Sequence, residues 1–188
     1  MSQMDLEGAR KALREHSPTD LLNLRESVWL EVKSQPYNLR DPGQREEFAK
    51  DVAAMANGGG GLLILGIKTR DDDREEVLDH IVPVDRTALD LDQLRMLIRE
   101  RVTPELYGVI VDWSEDSNGA VVFIDISLRP DKRLYVVAAP TGKPGQVNRN
   151  SVQVPMRDAA GTRWMTRTDI QRLLQRGFEA TPGVFDRP

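Results

Sequence analysis

Four consecutive glycines, Gly58 to Gly61, run straight into Leu62-Leu63-Ile64-Leu65-Gly66-Ile67, a stretch with no polar side chain. An apolar run of that length, without alternation, is the pattern of a strand buried on both faces. The segment before it, Gly43 to Asn57, places Phe48, Val52, Met55 and Ala56 on one helical stripe. Asn57 and the glycines are a helix stop, because glycine adopts the backbone conformations that end a helix without steric cost. A helix delivering directly into a two-sided strand excludes a purely helical or purely β chain.

The remaining pattern is mixed. Asp5 to His16 predicts a short helix with Leu6, Ala9 and Leu13 on one stripe, and Ser17-Pro18 starts a second one. Val28 to Lys33 alternates, so Val28, Leu30 and Val32 face one way and Trp29, Glu31 and Lys33 the other. Asp71-Asp72-Asp73 predicts a turn, Val77 to Val84 a strand, and Ala88 to Arg101 a helix. Tyr107 to Trp113 and Val121 to Leu128 read as a hairpin around Ser117-Asn118-Gly119. Leu134 to Ala138 and Val147 to Val154 are further extended segments, and Thr168 to Arg176 a closing helix. The order is not a regular βαβ alternation. It predicts an α/β fold of the α+β type, a mixed β-sheet with packed helices. We divide it into a helical extension over residues 1–17, a domain over 18–178 and a tail over 179–188.

Composition narrows the functional classes. Of 188 residues, 39% are apolar and 30% charged, too apolar for a disordered chain. The absence of cysteine excludes disulfides, thiolate zinc sites and cysteine nucleophiles. No run approaches the roughly 18 apolar residues of a membrane span, and the acidic, amphipathic start has no signal-peptide core, so the expectation is a cytoplasmic protein with no membrane partner. The net charge of −4 argues against a uniformly basic coat. From Arg129 to Glu179, however, ten Lys/Arg oppose four acids, leaving that segment at +6 and the rest at −10. Such an asymmetry allows a polyanion to bind one side; its ordinary alternative is scattered solvated charge.

The chemistry-bearing residues lie between Glu26 and Thr69. Glu26 and Glu31 are five apart, which within one strand would put them on opposite faces. They converge only if Glu26 sits before the strand and Ser27 forms the bend. Glu31 and Lys33 project together, and a carboxylate–lysine pair beside a second acid can hold a divalent metal or steer a phosphate. The alternative is a surface ion pair. The glycines do not form a P-loop: Gly61 to Thr69 reads G-L-L-I-L-G-I-K-T, one residue too long before the lysine and strand-like in its middle. Neither His16 nor His80 has the carboxylate and serine context of a catalytic triad. Trp29, Trp113 and Trp164 are read as packing residues first, with Trp164, beside Arg163, the better base-stacking candidate.

Glu26-Ser27, Glu31-Val32-Lys33, Ala56-Asn57, Gly60-Gly61 and Gly66-Ile67 together resemble the AlbA-2 domain, also called the Schlafen AlbA-2 domain. Val147-Asn148-Arg149-Asn150-Ser151, followed by Thr166 and a closing helix, resembles the family's later elements. The likeness spans roughly Leu21 to Leu174. It implies a lobe like that of the Schlafen core and a nucleic-acid partner, DNA or RNA. In the Schlafen branch it also implies metal-dependent RNA cleavage, with Glu26 and Glu31 as catalytic and metal-holding residues and magnesium or manganese as the ion. The third carboxylate of that pattern falls at Lys68 or Thr69, neither of which is an acid; Asp71, or its neighbours Asp72 and Asp73, is the substitute if the turn folds back. The Schlafen core resembles two related lobes, and one chain of this length supplies one, which implies a homodimer.

The leading expectation is a nucleic-acid-binding module of weak sequence preference and without a cofactor. Lys33, Lys143, Arg149, Arg157, Arg163 and Arg167 are the expected phosphate contacts. A metal-dependent endoribonuclease through Glu26, Glu31 and Asp71 is the first alternative. A non-catalytic assembly domain is the second.

Overall fold

The first helix, α1 (Leu6–Arg14), starts where the Asp5 side chain accepts a hydrogen bond from the Gly8 amide at 2.8 Å, satisfying one of the helix's free donors. The structure is a computed structural model that describes residues 4–127, 134–140, 146–158 and 161–180; the side chains of 140, 147–150, 173, 174 and 176–180 lie outside that description. A 3-10 turn (Pro18–Leu21) follows α1, then strand β1 (Leu30–Lys33). Asp41 caps α2 (Pro42–Asn57), whose first residue is a proline with its ring already at helical φ. β2 (Gly61–Leu65) is buried at every residue.

Gly66, at φ +102, breaks the run expected to continue to Ile67. Ile67 begins a new strand, β3 (Ile67–Asp72), which pairs with β4 (Glu75–Ile81). The turn between them is Asp73-Arg74, both at positive φ as a tight two-residue hairpin requires. The sequence reading placed this turn two residues early: Asp71 and Asp72 are paired strand residues. Then come α3 (Leu91–Arg101), β5 (Ile110–Asp116) and β6 (Gly119–Ile126), the last two forming the expected hairpin. β7 (Val137–Pro140) pairs with β8 (Val147–Gln153). β9 (Pro155–Asp158) and β10 (Gly161–Trp164) form a hairpin that the sequence did not announce, and α4 (Arg167–Ala180) closes the described chain.

The fold is α+β. Its central sheet has the order β1-β2-β6-β5, with β1 and β2 parallel and the other pairs antiparallel. Two apolar clusters lie on its opposite faces. Leu63, Leu65, Val122 and Ile124 join Phe48, Val52 and Met55 of α2 and Leu94 and Ile98 of α3. Leu30, Val32, Leu62, Ile64, Val121 and Phe123 join Ala9 and Leu13 of α1, Leu21, and Ile67 and Leu78 of the β3–β4 hairpin. α1 is therefore part of a core, and Arg10 and Arg14 tie it to Asp125 of β6 at 2.9 and 3.2 Å. Because side chains alternate along a strand, putting Leu30 and Val32 into the second cluster turns Glu31 and Lys33 toward α2.

Candidate functional site

The bend expected at Ser27 exists. Ser27 and Leu30 exchange backbone hydrogen bonds at 3.0 and 3.4 Å, so the chain reverses tightly before β1. Glu26 is pinned on either side of this bend. Its amide donates to the Glu76 carbonyl at 2.8 Å, and its carboxylate Oε1 accepts from the Val32 amide at 2.7 Å. The bend thus brings Glu26 and Glu31 to one place.

Arg157 of β9 occupies that place. It is 6% exposed, and each of its three nitrogens is engaged: Nε with the Ser27 carbonyl at 3.0 Å, Nη1 with Glu31 Oε2 at 2.5 Å, Nη2 with the Leu30 carbonyl at 3.1 Å. Glu26 Oε2 lies 4.0 Å from Nη2. The expectation of Arg157 as an exposed phosphate contact is therefore corrected. A guanidinium is taken out of water only where carboxylate and carbonyl oxygens replace its hydration, and here residues 26 to 31 supply them all.

The glycines and Asn57 explain how β9 gets so close. A Cβ on Gly58 would lie 2.9 Å from the Arg157 carbonyl oxygen, and one on Gly61 would lie 2.3 Å from that of Trp29. Contacts that short require the absence of a side chain. Asn57 Nδ2 donates to the Tyr135 and Pro155 carbonyls at 2.8 and 2.7 Å, and its Oδ1 accepts from the Tyr135 amide at 2.8 Å. The alanine–asparagine–glycine signature is a clamp on β9 and the chain entering β7, not a phosphate cradle.

Around the pair is an open cleft of about 490 Å³, walled by β1, α2, the tip of the β3–β4 hairpin and the β9–β10 hairpin. Sequence reasoning missed much of its lining. Asp51 of α2 is 2% exposed; it accepts from the Tyr37 hydroxyl at 2.7 Å and lies 3.6 Å from Lys33 Nζ. Asp51 sits three residues after Phe48 and four before Met55, so a carboxylate on an apolar helical stripe was the available signal. Glu47, Lys50, Arg74, Glu75 and Glu76 also line the cleft. Seven carboxylates face four cations there, and its field is negative.

Titration follows from this field. Burial pushes the Glu26 carboxyl above its ordinary value; the Glu31 and Glu76 charges add to that, while the Val32 amide and Arg157 oppose it. Burial disfavours the Lys33 ammonium, but Asp51 and Glu31 outweigh it, and the group is held above the ordinary lysine value. Burial and then the Asp51 charge raise the Tyr37 phenol well above its ordinary value, so it remains a neutral donor.

The other expected residues fall in different places. Lys33 is half-buried and bonded to Glu31 Oε1 at 2.8 Å. Asp71 is exposed; its Oδ1 accepts from the Arg74 amide, and it does not line the cleft. The acids of that hairpin that line the cleft are Glu75 and Glu76, and Glu76 accepts a hydrogen bond from the Thr69 hydroxyl at 2.6 Å. Arg163 is exposed on β10, with Nε 2.8 Å from Asp158 and Nη1 3.4 Å from Asp169. Arg167 is exposed at the start of α4. Arg149 lies in β8 with its side chain outside the description, and Lys143 lies outside the described residues. Trp29 packs against the second cluster, and Trp113 and Trp164 against the first.

The residues do not fit a divalent ion. Among the described residues no set of three or more His, Asp or Glu side chains could hold one. A metal 2.0–2.6 Å from Glu31 oxygens would have to stand beside Arg157. At about 4 Å and an effective dielectric near 20, charges of +2 and +1 repel by roughly 8 kcal/mol.

A sequence description of the family "Schlafen, AlbA_2" matches residues 26–166. No curated protein matches the chain. Among solved structures, the DIP2311 protein of Corynebacterium diphtheriae is 20% identical at a TM-score of 0.49. The match covers 90% of this chain and 34% of that one, so this chain spans about a third of that protein's length. The N-terminal domain of a RecG-related protein of Nitrosomonas europaea is 17% identical at a TM-score of 0.42, over 73% of this chain and 86% of that one. Among the described residues no helix is long and apolar enough to cross a membrane.

Proposed function

The chain belongs to the Schlafen AlbA_2 family, and on that premise we propose that it is a nucleic-acid-binding module, for DNA or RNA with weak sequence preference, that holds phosphates along β10 and α4. The observation that carries this reading is the exposure of Arg167 and Arg172 on α4, next to Arg163 of β10, which is exposed but already paired with Asp158 and Asp169. The cleft, by contrast, repels phosphate: its carboxylates outnumber its cations, and Arg157 and Lys33 are bound to Glu31. Backbone binding of this kind is electrostatic, so log affinity falls linearly with log salt by about 0.7–0.9 per phosphate contact. Labelled single- and double-stranded oligonucleotides, titrated by anisotropy at several salt concentrations, test it. Arg167→Ala is expected to flatten the slope by about one contact while leaving the melting temperature unchanged. A folded parent that shows no binding at low salt sinks the reading.

One observation favours a second reading. The same carboxylate excess suits a cationic protein segment, and an assembly domain, including a homodimer, would use it. A flat nucleic-acid titration together with a dimer in light scattering would put this reading first.

A further inference from the structure

Around the Arg157 guanidinium stand two carboxylates and two backbone carbonyls, those of Glu26, Glu31, Ser27 and Leu30. All four come from one six-residue segment folded back on itself. These oxygens stand around the rim of the guanidinium, Ser27 on Nε, Glu31 on Nη1, and Leu30 and Glu26 on the side of Nη2, and carboxylate with carbonyl oxygens is also the donor set that hard cations take. What they surround is a side chain delivered from 126 residues away, through a close approach that Gly58 permits and Asn57 fixes. The delivery is too specific for a surface ion pair: it uses a clamp, a missing Cβ and every nitrogen of the arginine.

We propose that Arg157 is the resident cation of an oxygen cage formed by residues 26–31, and that it closes this site to divalent metal. The arginine supplies the positive charge that two converging carboxylates demand, and it ties the β9–β10 hairpin to β1 in doing so. A metal ion and Arg157 are alternatives at one position. The inference is independent of nucleic-acid binding, because it concerns the occupant of the cage and not the outer arginines.

Manganese titrations of the full chain test it, with bound ion counted by electron paramagnetic resonance and stability followed by thermal unfolding. The parent and Glu31→Gln are expected to bind no ion at this site, with melting temperatures that manganese leaves unchanged within about 1 °C. Arg157→Gln keeps much of the length and one amide donor but removes the charge. It is expected to melt lower than the parent, to bind one manganese, and to recover stability with saturable dependence on the ion. Adding Glu31→Gln to it should abolish both effects. Arg157→Ala should behave likewise if it folds. Manganese binding by the parent that Glu31→Gln abolishes would overturn the proposal, since the ion would then enter beside the arginine. So would an Arg157→Gln protein that folds and ignores manganese. If neither Arg157 variant folds even with manganese present, the ion does not replace the guanidinium and the proposal also fails.

Discussion

Two buried carboxylates, on opposite faces of one sheet, are each held by arginine from far along the chain. Asp125, 2% exposed, is met by Arg10 and Arg14 of α1, whose side chains remain 13% and 55% exposed. Glu31, 6% exposed, is met by Arg157, itself 6% exposed, and by Lys33 from the cleft side. The Asp125 tie reaches water through Arg14, so that arginine, left alone, can be rehydrated. The Glu31 tie is closed on the arginine side and open on the lysine side. Beside it the Ser27 and Thr162 hydroxyls are buried without a hydrogen-bond partner among the described residues, and both line the cleft. The first arrangement fastens a helix; the second builds a site.

This difference is sharpest in the cost of removing the acid. Glu31→Gln leaves a guanidinium out of water with its best partner neutralised, and is expected to destabilise by about 3–5 kcal/mol. Asp125→Asn leaves Arg14 in water and Arg10 still paired with Glu7, and is expected to cost about 1–2 kcal/mol. Urea unfolding of both variants measures the contrast, and equal costs would erase it.

The next effect concerns the clamp, which exists only on the cleft side. Asn57→Ala removes three hydrogen bonds and is expected to cost about 2–3 kcal/mol. Combined with Arg157→Gln its cost should be non-additive, because both hold β9; combined with Arg10→Ala it should add. A double-mutant cycle by urea unfolding decides between a shared unit and two separate contacts.

The smallest effect has the opposite sign at neutral pH. Glu26 titrates above its ordinary value of 4.5 in the folded chain, so its contribution to stability is complete below that value and is lost as pH rises through the higher folded value. Glu26→Gln keeps an acceptor for the Val32 amide and carries no such loss. Relative to the parent, its melting temperature should climb as pH is raised from about 4 toward neutrality. A difference that stays constant with pH would mean that Glu26 titrates normally.

Much of the fold was legible because its signals are local. The stripe of α2, the two-sided β2 and the β5–β6 hairpin all follow from periods and turn residues within short windows. β9 and β10 were not legible, since two strands of four residues carry too few alternations to show a period. Glu26 and Glu31 stood out through their motif, and so did the bend that unites them. The occupant did not. An arginine in a basic segment reads as surface, and only a tertiary contact across 126 residues turns it inward. Glu76 was hidden for a related reason: cross-strand pairing, not sequence distance, sets which acid of the β3–β4 hairpin faces Glu26.

β1 pairs with β2 in parallel, from Leu30 opposite Leu62 to Lys33 opposite Leu65. Four residues with alternating direction amount to a parity: odd positions serve the cleft, even positions the core. One residue inserted between Ser27 and Leu30, with the pairing moved to accommodate it, would exchange the two sets. Leu30 and Val32 would line the cleft, and Glu31 and Lys33 would enter an apolar cluster. A residue inserted at 34–41, beyond the strand, leaves the parity intact. The turn before β1 can therefore take up a single added residue only if the β1–β2 pairing stays where it is, whereas the entry to α2 is limited instead by Tyr37, which is buried and donates to Asp51.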